Sequence, residues 1–554
     1  MSSSNHLKLQ TVLAATFLLF AALTAWPGVL MIDGHEGDTL HMMDILLRMD
    51  AGALPHRDFM TPIGILAFAP INLVMKLGPD IGQAFILGSI LVSLLTLPML
   101  WRALSSRLGS GAMAMLTGFY VIVLGMALVH GGSTPTIGVS MYYNRWAWAL
   151  AYVAILLAVL PPLPGQTRPR PLLDGVLIGL CLAFLALLKI TYFIAFAPAL
   201  AVVLILHRAW RMMAAAAVAG LAVAASVTLL AGVDFWLAYM GDLLTVARSE
   251  VRPLPGAPFA DILSAPKFIG GTLLLLAAIM LLRKSERMRE GLILLLLAPG
   301  FFYVTYQNFG NDPQWLILLA ALLYTFRPEA SLETARGWNY RFMLNIAVAI
   351  ALALALPSAF NLATSPVRHL AKNRARYTPL LGLEGLHQDI LMRKSRVLPY
   401  VGKVTFREPA LDPALFGLDP EKLEKRRKRA VLLGRPLEEC VLEGGLEIAF
   451  ATTMRELEAD EETRGKPLFV ADIVTGYWLY GRRTPPLQGG APWYYAGTPG
   501  IEQAELLLVP RCPVSGRARR VALAEIAKRK DITLSEIRRT PLYILLKIGH
   551  EGSK

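Results

Sequence analysis

The chain has 554 residues, 55% hydrophobic and 17% charged, with 54 Lys and Arg against 40 Asp and Glu for a formal net charge of +14. Its mean hydropathy of +0.50 excludes an ordinary water-soluble protein of this length and places the chain among polytopic membrane proteins. Much of the positive excess follows residue 362, in runs such as 422–429 (KLEKRRKR). No nucleic-acid module accompanies it, so it points to anionic headgroups or phosphorylated glycolipids rather than to nucleic acid.

The first apolar run, Thr11–Met31, is longer than a signal-peptide core and precedes no small-residue cleavage site, so a retained transmembrane helix is expected. Further spans are expected at 81–101, 112–130, 146–161, 173–189, 191–206, 212–232, 268–282, 291–306, 314–326 and 341–360, about eleven in all. The segment Ile63–Leu77 is short and contains Pro70 and Asn72, which suits a juxtamembrane or partly embedded helix better than a crossing.

Directly after the first run stands Asp33-Gly34-His35-Glu36-Gly37-Asp38. Ionisable groups at the mouth of a span are costly and read as a site; the plain alternative is a solvated acidic loop. Next, Asp38–Asp50 places Asp44 and Arg48 on one helical face and Leu40, Met43, Ile45, Leu46, Leu47 and Met49 on the rest. That pattern predicts an amphipathic helix on the outer membrane surface, a rigid mounting of the kind a positioned general base requires. His35 and His41 stand beside Asp33, Glu36 and Asp38. The set would hold Mn²⁺ or Mg²⁺ through carboxylates and one imidazole, or Zn²⁺ if both histidines contribute. Otherwise the histidines simply face headgroups.

Charge sets the orientation. With Ile63–Leu77 not crossing, Lys8, Arg102, Arg107, Arg168, Arg170, Arg208, Arg211, Arg283, Lys284, Arg287, Arg289, Arg327, Arg336 and Arg341 share one side. The positive-inside rule makes that side, and the N-terminus, cytoplasmic. The outward face then receives 33–80, 130–145, 234–267, 306–315 and the tail. Arg145, in Tyr-Tyr-Asn-Arg-Trp, has a guanidinium that would clamp phosphate, while its aromatic neighbours also fit an interfacial belt. Lys189, flanked by apolar residues, needs either a lipid-linked phosphate as partner or a snorkelling path to the interface. Gln307, Asn308 and Asn311, in an amide- and aromatic-rich stretch, suit sugar hydroxyls or an ordinary turn.

The tail reads as a separate extracytoplasmic α/β domain over 362–554, following a transmembrane domain over 1–361 whose first outer loop is 32–80. Pro467–Ile473 and Ala504–Val509 are predicted strands, and Val521–Lys528 a helix. Cys440 and Cys512 are able to pair in an oxidising compartment, whereas Cys181 lies within an apolar run and packs there. No nucleotide-binding glycine signature, nucleophile elbow, P-loop or zinc-protease motif occurs.

The stretch 52–64 (GALPHRDFMTPIG) is similar to the G-x-x-P-Y-x-D-F…G-P pattern of bacterial relatives of protein mannosyltransferases and aminoarabinose transferases. His56 stands where an aromatic is common, and Ile65 where proline is usual. With the inward N-terminus, the acids after the first span, Lys76-Leu77-Gly78 and the many spans, the chain resembles the GT-C glycosyltransferases, closely over residues 1 to about 130 and in outline beyond. The resemblance implies a bacterial inner-membrane enzyme that moves a sugar from a polyprenyl-phosphate donor to a glycan, lipid or protein acceptor on the periplasmic face. Asp33 would be the general base, with Glu36 or Asp38 orienting the acceptor or holding a metal. Arg57 and Asp58 would contribute to substrate binding, and Lys189 and Arg145 would neutralise the departing lipid phosphate. A transporter or flippase is the main rival, disfavoured by the absence of an internal repeat and of paired broken spans; a whole-glycan ligase or a non-catalytic scaffold are the others.

Overall fold

The computed structural model describes residues 3–164, 170–252, 266–307, 312–403, 413–419, 421–422 and 428–550. In chain order their α-helices are α1 (Ser3–Ala25), α2 (Glu36–Asp50), α3 (Ala69–Met75), α4 (Ile81–Arg107), α5 (Gly111–Met126), α6 (Tyr142–Val159), α7 (Pro171–Leu188), α8 (Ile190–Leu206), α9 (Trp210–Ala231), α10 (Asp234–Ala247), α11 (Pro266–Lys284), α12 (Met288–Gln307), α13 (Trp315–Phe326), α14 (Tyr340–Leu370), α15 (Leu446–Ala459) and α16 (Gly516–Ile526). The chain divides into two compact units, one of 1–33, 63–233 and 254–373, the other of 34–62, 234–253 and 374–554. The expected boundary at 361 is displaced because α14 runs on to Leu370, and the second unit also takes in two segments from earlier in the chain.

The first unit is helical. A helix lies on each apolar stretch expected to span, and among the described residues six of them (α1 from His6, α4, α7, α9, α12 and α14) are long and apolar enough to cross a membrane. α1 stops at Ala25 rather than Met31. Pro27 restrains the residue before it from the helical region, and Gly28 takes φ +66°, the conformation that ends helices. A turn and the short strand β1 (Leu30–Ile32) therefore separate α1 from Asp33. α3 spans seven residues, about 10 Å of rise, too short to cross.

Small residues set the closest helix contact. A Cβ added at Gly175 or Gly179 of α7 would stand 2.3 Å from the Met212 carbonyl oxygen or 2.2 Å from that of Ala216 on α9, so the Gly-x-x-x-Gly face lets the two backbones approach as membrane helices do. The rest of α9 is apolar yet uncovered, with Leu221, Leu229 and Leu230 at 70%, 87% and 89% exposure. A helix with apolar residues on its open face is compatible with a lipid surround.

The second unit is built on a four-stranded sheet ordered β10 (Ile532–Arg539), β11 (Tyr543–His550), β9 (Leu506–Pro510), β8 (Leu468–Val470). β10–β11 and β11–β9 are antiparallel, β8–β9 parallel. Phe469, Leu507, Val509, Ile544 and Leu546 meet Ala518, Ala522 and Leu523 of α16 in its core. β8 falls within its predicted strand, β9 overlaps its own and runs one residue further, to Pro510, and α16 overlaps the predicted helix. Smaller antiparallel pairs join β2 (Tyr377–Pro379) to β3 (Ile390–Arg393), β4 (Tyr400–Lys403) to β7 (Cys440–Gly444), and β5 (Val431–Leu432) to β6 (Arg435–Pro436). Cys440 is disulfide-bonded to Cys512.

α2 does not lie on a surface. Leu40, Met43, Ile45 and Leu46 are buried, and so is its polar face: Asp44 is fully buried, 2.5 Å from Arg48 Nε, and accepts from the Trp478 indole N–H at 2.9 Å. Arg48 also donates to the Leu487 carbonyl at 2.6 Å and stacks over Phe59. The helix expected to float at the headgroups is an internal member of the second unit.

Candidate active site

Asp33 is fixed by three hydrogen bonds within the first unit, two to Ile137 and one to Lys372. Its backbone N–H donates to the Ile137 carbonyl at 2.8 Å. Its Oδ2 accepts from the Ile137 N–H at 3.3 Å and from Lys372 Nζ at 2.5 Å. Both side chains of the ion pair are largely buried, 12% exposed for Asp33 and 10% for Lys372. Arg368 lies one turn before Lys372, within electrostatic reach of Asp33, and donates to Asn361 Oδ1 at 2.5 Å. One partly enclosed carboxylate thus stands beside two cations, an arrangement able both to accept a proton and to neutralise an anion.

α14 positions this group. Ser358, Asn361, Ser365, Arg368 or His369, and Lys372 recur every three or four residues along one side of an otherwise apolar helix, so they share a face. All but Lys372 bind backbone: Ser358 Oγ donates to the Gly131 carbonyl, Asn361 Nδ2 to those of Gly132 and Thr134, Ser365 Oγ accepts from the Leu128 N–H, Arg368 donates to the Asn361 carbonyl, and His369 Nε2 accepts from the Met31 N–H at 2.9 Å. The segment 128–137 between α5 and α6 is also held by Gln314, which shares the Gly131 carbonyl with Ser358, donates to Ser358 Oγ at 3.2 Å and accepts from the Tyr120 hydroxyl. Asp312 and Lys267 form an ion pair beside it. None of the α14 residues was singled out from the sequence, although their three- and four-residue spacing in an apolar run was there to be read.

Arg145 has a different role from the one expected. Its terminal nitrogens donate to the carbonyls of Val129 and Ala127, and the side chain is 3% exposed. The guanidinium fork is spent on closing the 128–137 segment rather than standing ready for phosphate. Lys189 sits at the break between α7 and α8, its Nζ 5.3 Å from the centre of the Tyr143 ring, an ordinary cation–π distance. Gly64 packs against that same break: a Cβ there would fall 2.0 Å from the Leu187 carbonyl oxygen. Gln307 ends α12 with its Oε1 buried and without a hydrogen-bond partner among the described residues; Asn308 and Asn311 lie outside the described residues.

Glu36 and Asp38 belong to the second unit. Glu36, 3% exposed, is bridged by Arg396 through both carboxylate oxygens. Beside this pair is Glu447, whose buried Oε1 and Oε2 have no hydrogen-bond partner among the described residues. Burial first, and then the neighbouring Glu36 charge, push its carboxyl up to about 7. Arg57 and Asp58 pair with one another at 3.1 Å, and Asp58 Oδ2 accepts from the Leu54 N–H, closing a turn. Hydrogen bonds from Gly489 to the Asp58 carbonyl and from Met60 to the Gly490 carbonyl dock that turn on the 485–500 loop. His56, where the resemblance leads one to expect an aromatic, fills an aromatic slot between Tyr239 and Phe235 and binds Asp242 at 2.9 Å.

His35 and His41 do not form a metal centre with the acids. No group of three His, Cys, Asp or Glu able to hold a metal occurs among the described residues. His41 is packed on Trp493 and burial holds its imidazole down to about 3, while His35 caps α2 in a left-handed conformation. No protein-family model, no curated protein and no solved structure matches this chain.

Proposed function

We propose that the chain is a multi-pass membrane glycosyltransferase of GT-C type, moving a sugar from a polyprenyl-phosphate donor to a glycan, lipid or protein acceptor at the outer face of a bacterial inner membrane. The observation that carries this reading is the buried Asp33 carboxylate, held against Lys372 and Arg368 at the mouth of an apolar helical unit. Ionisable groups so placed are expensive and are kept for function. The Cys440–Cys512 bond supports an oxidising surrounding for the second unit, in keeping with a periplasmic location and eleven crossings.

Paired with an ammonium, a carboxylate is a weak base. When the lipid phosphate takes Lys372 and Arg368, Asp33 loses its counter-charge and becomes the stronger acceptor. The acceptor hydroxyl then gives its proton to Asp33 as its oxygen bonds the sugar C1. The C1–O bond to phosphate breaks, and polyprenyl phosphate leaves with the electron pair, its charge balanced by the two cations. Within the same unit, Gln307 is retained as a candidate for sugar or acceptor contacts.

The test is release of free polyprenyl phosphate from labelled polyprenyl-phosphate sugars by the purified full chain in bilayers. Release tied to appearance of a glycosylated product supports the proposal. Movement of intact donor between leaflets without release would make the protein a flippase.

A further inference from the structure

At the opposite end of α6 from Tyr142, the first unit holds a cavity of about 490 Å³. It forms where the C-terminal ends of α4, α6 and α13 meet the α8–α9 and α11–α12 turns. Arg107, His207, Arg287 and Arg289 line it with a single acid, Glu290, over an apolar wall that includes Met212 and Phe326. Arg107 is fully buried; one terminal nitrogen binds Asp174 at 2.6 Å and the Leu157 carbonyl at 3.4 Å, the other donates to Ser106 Oγ at 3.0 Å, and its Nε–H has no hydrogen-bond partner among the described residues. Arg102 shares Asp174, and Arg287 pairs with Glu290 at 3.3 Å. The side chain of Arg289, exposed, makes no hydrogen bond or ion pair among the described residues and lies within electrostatic reach of His207. Counting Asp174 and Arg102, which stand behind the lining, two acids answer four arginines among the described residues, around a volume in the range of ligand sites.

An unpartnered buried guanidinium N–H, surplus arginine charge and an apolar wall call for an occupant with an anionic oxygen-rich head and a hydrocarbon tail. We infer that this cavity binds a phosphate-bearing amphiphile, its phosphate on Arg107, Arg287 and Arg289 and its first acyl carbons against Met212 and Phe326. Basic pockets between the ends of membrane helices recognise phospholipid heads in this way, and arginine suits phosphate through its paired donors. This site shares no residue with the Asp33 group and stands whether or not the chain transfers sugar.

Native mass spectrometry of the full chain tests it, with equimolar phosphatidic acid and phosphatidylcholine, inorganic phosphate as competitor, and Arg289→Glu as variant. Arg289 is chosen because its exposure and lack of partners leave folding untouched. The expected result is retention of phosphatidic acid about tenfold above phosphatidylcholine, falling to the phosphatidylcholine level in Arg289→Glu. Equal retention of the two lipids, or an unaffected variant, overturns the site. Displacement of the lipid by inorganic phosphate at the same concentration overturns the amphiphile and leaves a soluble-anion site.

Discussion

Lys372 Nζ lies 2.5 Å from Asp33 Oδ2 across 339 positions of sequence, joining the end of α14 to the segment that follows α1. Removing one partner of so enclosed a pair leaves the other charge uncompensated, at a cost of about 3 kcal/mol. Lys372→Met should therefore lower unfolding stability by about that amount. The double variant with Asp33→Asn should be more stable than the sum of the two single losses. Denaturant unfolding in detergent measures the cycle; strict additivity would mean that the pair is not formed.

Glu447 makes stability depend on pH. Its folded value, raised to about 7 from 4.5 by burial, means that the folded chain holds a proton the unfolded chain has already lost between those values. Its contribution is present in full below pH 4.5 and is lost as pH rises through 7. At about 1.4 kcal/mol per pKa unit the loss is about 3 kcal/mol. Thermal unfolding of the second unit should weaken from pH 5 to pH 8, and Glu447→Gln should flatten that slope. A variant with the same slope as the parent would remove Glu447 as its source.

The α7–α9 contact predicts a contrast between glycines. Gly179→Ala places a methyl 2.2 Å from the Ala216 carbonyl oxygen, whereas a methyl at Gly220 meets nothing nearer than 3.9 Å. The first should cost about 2 kcal/mol through forced separation of the backbones; the second should be neutral or slightly stabilising. Melting of the two variants in the same detergent tests this, and equal melting temperatures would contradict it.

Much of the helical layout was legible because apolar runs and their basic flanks are long-range signals that survive without tertiary detail. The short Ile63–Leu77 segment and the two strands β8 and β9 were legible from their apolar pattern, and the four-residue spacing of Asp44 and Arg48 put them on one helical face. The burial of α2 was not, because Asp44 and Arg48 satisfy one another and Trp478, so a face that looks solvated in sequence is internally paired. Arg145 misled in a related way: a guanidinium fits a phosphate and two backbone carbonyls equally well, and which it meets depends on where Ala127 and Val129 fold. Lys372 was hidden by the assumption that the last span ends near residue 360; with α14 carried to Leu370, its polar stripe becomes one helical face.

The central claim is that Asp33 takes the proton in sugar transfer. Its most direct test is the single-turnover rate of transfer from a polyprenyl-phosphate sugar by Asp33→Asn, which keeps the shape of the side chain and removes its basicity. The rate should fall by about 10²–10⁴-fold with donor binding little changed, since Lys372 and Arg368 remain to hold the phosphate. Transfer by Asp33→Asn at the parental rate would contradict the account.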